Sequence, residues 1–230
     1  MTKSLPSRGI DENPCVPEGD FVVALDGPAA SGKSSVARRI AEALDVPYVS
    51  SGLLYRAATY LALSENIPTE DAEAVVTLLG GREVRLEPGR RGDRVLADGA
   101  DITRKLHTDA VDAQVSAVSR HPEVRRWVYR RLREIRGSFV VEGRDMGTVV
   151  FPEARFKFYL TAPAEVRAKR RVGERSASLA EVTEALKRRD LLDARQLVPA
   201  SDARFVDTTS LNLEEVTQSV LRSICAHGEV

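Results

Sequence analysis

Residues 27–34 read Gly-Pro-Ala-Ala-Ser-Gly-Lys-Ser. That spacing of two glycines, a lysine and a hydroxyl suits one task, which is wrapping a chain of phosphates. Gly27 and Gly32 let the backbone curl around Pro28, Ala29, Ala30 and Ser31. Backbone N–H groups and the helix that starts at the motif then face the anion. Lys33 adds a positive charge at the β- and γ-phosphates, the Ser34 hydroxyl suits magnesium, and Ser35 continues the phosphate-facing turn. The context is the required one, because an apolar strand (FVVAL) precedes the motif and a helical pattern (KSSVARRIAEALD) follows it. A nucleoside triphosphate such as ATP is the expected ligand. A guanine-reading Asn-Lys-x-Asp is missing, since Asn13, Asn66 and Asn212 are each followed by a residue other than lysine.

A second set of residues asks for a second anion. Ser51, Tyr55 and Arg56 follow the next expected strand, and Arg144 and Asp145 follow a third. Arg188, Arg189, Asp190, Asp193 and Arg195 come later, in KRRDLLDAR. In an open parallel sheet the carboxyl ends of the strands line the ligand crevice, so these arginines can converge near Lys33. One phosphate chain does not need so many cations; a second phosphorylated ligand does. The plain alternative is pairing among themselves, Arg144 with its neighbour Asp145 or Arg189 with Asp193 at helical spacing. If the second ligand is a nucleoside monophosphate, its phosphate is largely ionised at neutral pH, because the second phosphate pKa is about 6. No general base is then required, and catalysis reduces to positioning and charge neutralisation.

The elements that must hold these residues alternate between strand and helix. Core strands are expected over 21–27, 46–50, 138–143, 155–162 and 203–209, and helices over 53–64, 70–79, 164–172, 179–193 and 213–226. Residues 107–137 read as two helices broken at Pro122 and ended by Gly137. The pattern implies an α/β fold, a doubly wound parallel five-stranded sheet with helices on both faces. Residues 81–103 differ, with short strands around the turn signals Pro88-Gly89 and Asp98-Gly99, and read as a small β insertion. Residues 1–19 are rich in proline and glycine and read as a disordered leader; the domain is expected over 20–230.

Composition narrows the classes further. The 230 residues carry a net charge of zero, which argues against a nucleic-acid polymer as partner. No apolar run approaches the roughly 18 residues of a membrane span, and the N-terminus lacks a signal-peptide pattern, so the expected location is cytoplasmic. Cys15 and Cys225 stand at opposite ends, and His107, His121 and His227 are scattered, which gives no zinc-site spacing.

Five segments in this order, DGPAASGKSSVA, SSGLLYRA, VSAVSRHPEVR, VVEGRDMGTVVFPEA and RRDLLDAR, resemble those of bacterial cytidylate kinases over about residues 20–222. The resemblance implies a P-loop kinase core with an enlarged monophosphate-binding region at about 52–137, containing the β insertion, and a lid at about 170–198. It implies transfer of the ATP γ-phosphoryl to CMP or dCMP with Mg2+, in pyrimidine metabolism, by a monomer. Arg56, Arg144 and Arg189 are then expected on the CMP phosphate, with Lys33, Arg144 and Arg189 catalytic. Ser51 and its loop, with Tyr55, close on the nucleotide; Ser116, Arg125 and Asp145 read the cytosine; Asp193 faces the sugar. Arg170 and Arg171 are expected near the ATP phosphates. The chain departs from the family at Ser50, where an aspartate is usual, and after Asp193, where the return segment is about four residues shorter. Kinases acting on UMP, AMP or shikimate, or a binding module switched by ATP, are the competing readings.

Overall fold

The apolar run before the glycine motif becomes the central strand of the sheet. In the computed structural model, which describes residues 16–89, 92–172 and 178–228, β1 (Val22–Asp26) pairs in parallel with β6 (Phe139–Glu142) on one side and β7 (Phe156–Thr161) on the other. The sheet is completed by β2 (Tyr48–Ser50) beside β6 and β8 (Arg204–Asp207) beside β7, giving the order β2-β6-β1-β7-β8 with every pair parallel. All five carboxyl ends therefore lie along one edge of the sheet.

Side-chain alternation divides the core in two. Val23 and Leu25 of β1, Val140 of β6 and Phe156, Phe158 and Leu160 of β7 pack with α1 (Lys33–Ala43) and α8 (Leu213–Gly228). Ala24, Val49 and Val141 face the opposite way, toward α2 (Gly52–Ser64), α3 (Ala72–Gly80) and α5 (Pro122–Arg133). Burial on both faces explains the continuous apolar character of these strands. The expected fold class stands, a doubly wound α/β sheet with helices on both sides.

The β insertion is an antiparallel three-stranded sheet: β3 (Val84–Glu87), β4 (Arg94–Ala97) and β5 (Ala100–Asp101). Asp98 and Gly99 make its second turn at φ 49 and +80°, the left-handed pair that a two-residue hairpin needs. Val84 and Val95 attach this sheet to the core shared with α2, α3 and α5. Helix starts follow local chemistry. Thr108 caps α4 (Asp109–Val118), Pro122 opens α5, and Ser178 with Glu181 forms a capping box on α7 (Leu179–Leu192). The second helix was expected to run to Gly137; α5 ends at Arg133, and Gly137, at φ +78°, belongs to the turn into β6.

Residues 1–15 of the expected leader and 173–177 of the expected lid lie outside the described residues. At the end of the leader, the carbonyls of Glu18 and Gly19 accept from Arg155 (3.4 Å) and Ser138 Oγ (3.5 Å).

Two glycines of the phosphate motif differ in what they tolerate. A Cβ on Gly27, at φ +146°, would lie 2.1 Å from the Leu160 carbonyl oxygen, whereas one on Gly32, at φ +91°, meets nothing within 4 Å. Gly27→Ala is therefore expected to cost about 3 kcal/mol or more, and Gly32→Ala only the backbone strain of about 1–3 kcal/mol. Urea unfolding of both variants checks this, and equal losses would contradict the steric account.

Candidate active site

The turn between β1 and α1 is shaped by three left-handed residues, Gly27, Ala30 (φ 58°) and Gly32. It ends at Lys33, which is buried and donates from Nζ to the Pro28 carbonyl at 2.7 Å, with Ser31 Oγ at 3.5 Å. A cavity of about 490 Å³ opens over this loop, lined by Ala30 to Val36, Arg170, Arg171 and Thr208. Arg170 is held there by Thr208, through its Oγ1 at 3.0 Å and its carbonyl.

A second cavity of about 600 Å³ lies beside it, lined by Gly52, Tyr55, Arg56, Ser116, Arg171 and Arg189 among others. Arg171 lines both cavities, so the two spaces share a cationic wall. Arg56 is anchored by the Leu106 carbonyl (2.9 Å) and Asp112 (2.5 Å). Ser51 is buried at the start of α2, where its N–H donates to the Glu142 carbonyl at 3.4 Å. Ser116 is exposed on α4.

The Gly143-Arg144-Asp145 turn resolves the pairing question. Arg144 and Asp145 do not pair with each other. Arg144 Nε donates to Asp193 Oδ2 at 3.1 Å, and Arg189 Nε lies 3.7 Å from the same oxygen. Asp145 Oδ2 accepts from Arg125 Nη2 at 2.7 Å and from the Tyr129 hydroxyl. Among the described residues, Asp145 Oδ1 and the Tyr55 hydroxyl are buried without a hydrogen-bond partner. Arg188 and Arg195 are exposed. Asp193, expected on a sugar, thus sits between the two arginines expected on a phosphate.

Burial, reinforced by crowded positive charge, dominates the electrostatics of the cleft. Burial, with the nearby Arg144 guanidinium adding to it, lowers the Lys33 ammonium from the usual lysine range to about 7. Arg189 is exposed at its side chain, yet its surroundings push it down, through desolvation first and then the Arg144 guanidinium, against the opposing pull of Asp193. Lysine and arginines from five separate parts of the fold therefore repel one another across one cleft, an arrangement that an anion relieves.

Sequence reasoning missed five residues that hold this cleft together. Asp26 is buried at the end of β1 and accepts from the N–H groups of Met146 and Gly147, both at 2.8 Å. Glu142 accepts from Tyr48 (3.4 Å) and Ser50 Oγ (3.2 Å). Asp93, from the β3–β4 loop, accepts the Ser50 N–H at 2.9 Å. A carboxylate thus returns to the position where Ser50 appeared to remove one. Tyr129 steadies Asp145, and Arg167 joins Ala29 O (2.9 Å) in the phosphate loop to Asp190 in α7. The available signal was a charged residue ending a buried strand, which applies to Asp26 and Glu142; nothing local marks Asp93, Tyr129 or Arg167.

A sequence model of the cytidylate kinase family matches residues 23–226. The chain is 57% identical to a protein of Thermus thermophilus named cytidylate kinase, over 88% of this chain and 98% of that one. Similarity to the cytidylate kinases of Deinococcus radiodurans (51% identity, 89% of this chain and 99% of the relative) and Bacillus subtilis (38%, 90% and 97%) is equally extensive. The match runs through the phosphate loop, the Arg144–Asp145 turn and the α7 arginines alike, and the chain belongs to the cytidylate kinase family.

Proposed function

We propose that this chain transfers the γ-phosphoryl group of ATP to CMP or dCMP, giving ADP and CDP or dCDP. The observation that carries the reading is the convergence of Arg144 and Arg189 on one carboxylate, Asp193, close enough to Lys33 to depress its pKa. That supports reading a second anion-binding set against the phosphate loop. Family membership supplies the acceptor's identity.

In this reading, residues 27–35 hold the ATP phosphates, Lys33 contacts the transferring group, and Arg170 and Arg171 border the donor side. Arg56, Arg144 and Arg189 hold the CMP phosphate. Lys33 and the arginines neutralise charge that spreads over the equatorial oxygens as the bond to ADP loosens. The acceptor oxygen arrives ionised, so no base is needed. Magnesium would suit the hydroxyl oxygen of Ser34, which lines the cavity over the phosphate loop, as its direct protein ligand. Among the described residues no three acidic, histidine or cysteine side chains form a metal cage, as suits an ion that keeps its waters and phosphate oxygens. When bound it supplies charge on the β- and γ-phosphates.

Asp145 reads the base. Arg125 and Tyr129 occupy one carboxylate oxygen and leave Oδ1 to accept from the cytosine amine, with Ser116 at the cavity wall and Tyr55 alongside. Uracil offers a carbonyl instead, so two acceptors would face each other, at a cost of about 1–3 kcal/mol or more.

An ADP-release assay with ATP-Mg2+ against CMP, dCMP, UMP, AMP and GMP tests the assignment. The expected result is a kcat/KM for CMP at least about 10²-fold above that for UMP. Transfer to none of the five would leave only ATP binding and remove the proposal. Lys33→Met is expected to lower kcat by about 10²-fold or more, because it deletes a charge acting on the transferring group; a fully active variant would exclude the phosphate-loop mechanism. Asp145→Asn keeps the shape but adds a donor, so it should shrink the CMP/UMP ratio. Equal losses on both substrates would make Asp145 a structural partner of Arg125.

A further inference from the structure

Asp26 is a buried carboxylate to which the reaction assigns no role. It ends β1, one residue before Gly27, and is 5% exposed. The β1–β6 ladder pairs Leu25 with Glu142, and Gly143 N–H still finds the Leu25 carbonyl at 3.0 Å. Beyond that point the two backbones diverge, β1 into the phosphate loop and β6 into the Arg144–Asp145 turn. The Asp26 side chain takes over the ladder's work there. Its Oδ1 accepts from Met146 N–H and its Oδ2 from Gly147 N–H, each at 2.8 Å, across 120 residues of sequence.

The requirement is specific. Two adjacent N–H donors need two acceptor oxygens on one planar group, which a carboxylate has. Asparagine has one, and its NH2 would point at an N–H. The turn so held has little room to shift: a Cβ on Gly143 would lie 2.7 Å from Met146 Cγ, and one on Gly147 3.2 Å from Lys157 Cγ. Burial pushes the Asp26 carboxyl up to about 6, the two N–H bonds and Lys33 oppose that rise, and Asp145 reinforces it. Ionised Asp26 therefore costs stability at neutral pH, which is what a group retained for geometry shows.

We propose that Asp26 is a positioning residue for phosphoryl transfer: by clamping the N–H groups of Met146 and Gly147 it fixes Arg144 and Asp145, and so the acceptor, relative to the phosphate loop that begins at the next residue. This rests on the reading of Arg144 as the acceptor-phosphate ligand. Asp26 itself touches no substrate, and its effect passes through the turn.

The test is a double-mutant cycle of Asp26→Asn and Arg144→Ala, with KM and kcat measured for CMP and for ATP. Asp26→Asn is expected to lower kcat/KM for CMP by about 10-fold to 10²-fold, as a displacement of about 1 Å does, with the ATP KM changed by less than about twofold. Added to Arg144→Ala, it should lower kcat/KM by a clearly smaller factor than it does alone, because the share of its effect that passes through Arg144 is already lost. Multiplying losses, or a change in both KM values by the same factor, would overturn the positioning role and leave Asp26 a general stabiliser. If Arg144→Ala leaves the CMP parameters unmoved, the acceptor-site reading fails. If it impairs CMP while Asp26→Asn does not, only the Asp26 proposal fails. Amide hydrogen exchange on the unmodified protein needs no variant: Met146 and Gly147 should exchange as slowly as the β6 amides without nucleotide, and fast exchange there would contradict the clamp.

Discussion

Mutual repulsion among positive charges is the constraint on which this site depends. Lys33, Arg144, Arg189, Arg171 and Arg56 gather at one cleft; burial first, and then the nearby Arg144 guanidinium, pulls Lys33 to about 7 and lowers Arg189. Such a group stays assembled only if each member is tied from behind. Lys33 is held by the Pro28 carbonyl, Arg56 by Leu106 and Asp112, and Arg144 by Asp193. The carboxylates set positions, and in the proposed reading the guanidinium groups then meet an incoming anion. Two phosphate-bearing ligands bring that charge, and their repulsion for each other is offset by the same cations.

The sheet makes this arrangement possible. Five parallel strands deliver five carboxyl ends to one edge, and the two that matter most, β1 and β6, are hydrogen-bonded neighbours. The phosphate loop leaves β1 and the Arg144–Asp145 turn leaves β6, and the two are joined by the strand ladder and, beyond its end, by the two hydrogen bonds to Asp26. The α7 arginines come from outside the sheet and are registered differently. Arg167, 4% exposed at its side chain, bridges the Ala29 carbonyl and Asp190, which fixes the helix that bears Arg189 against the phosphate loop.

Much of the fold was legible because the sequence signals were local. Apolar runs with turn residues gave the five core strands, and the glycine-lysine-serine spacing gave the phosphate loop in its strand-to-helix context. The Asp98-Gly99 turn gave the β insertion, and its φ values bear out the reason. Individual partners were not legible, because they join distant parts of the chain. Pairing of adjacent Arg144 and Asp145 was the plain alternative; each instead finds its carboxylate or guanidinium partner elsewhere, 49 and 20 residues away. Ser50 looked like a lost negative charge, yet Asp93 reaches its N–H from the inserted sheet 43 residues on. No periodicity encodes such closures, which depend on how the insertion and α7 pack against strand ends.

The central claim is that the arginine cluster is built for the acceptor's phosphate. Calorimetric titration of CMP and of cytidine into the protein isolates that group, since the base and sugar are identical. Two charge-assisted guanidinium contacts contribute about 1.5–3 kcal/mol each, so CMP should bind at least about 10²-fold more tightly than cytidine. Equal affinity for the two ligands would contradict the account, because the phosphate would then be held by neither arginine.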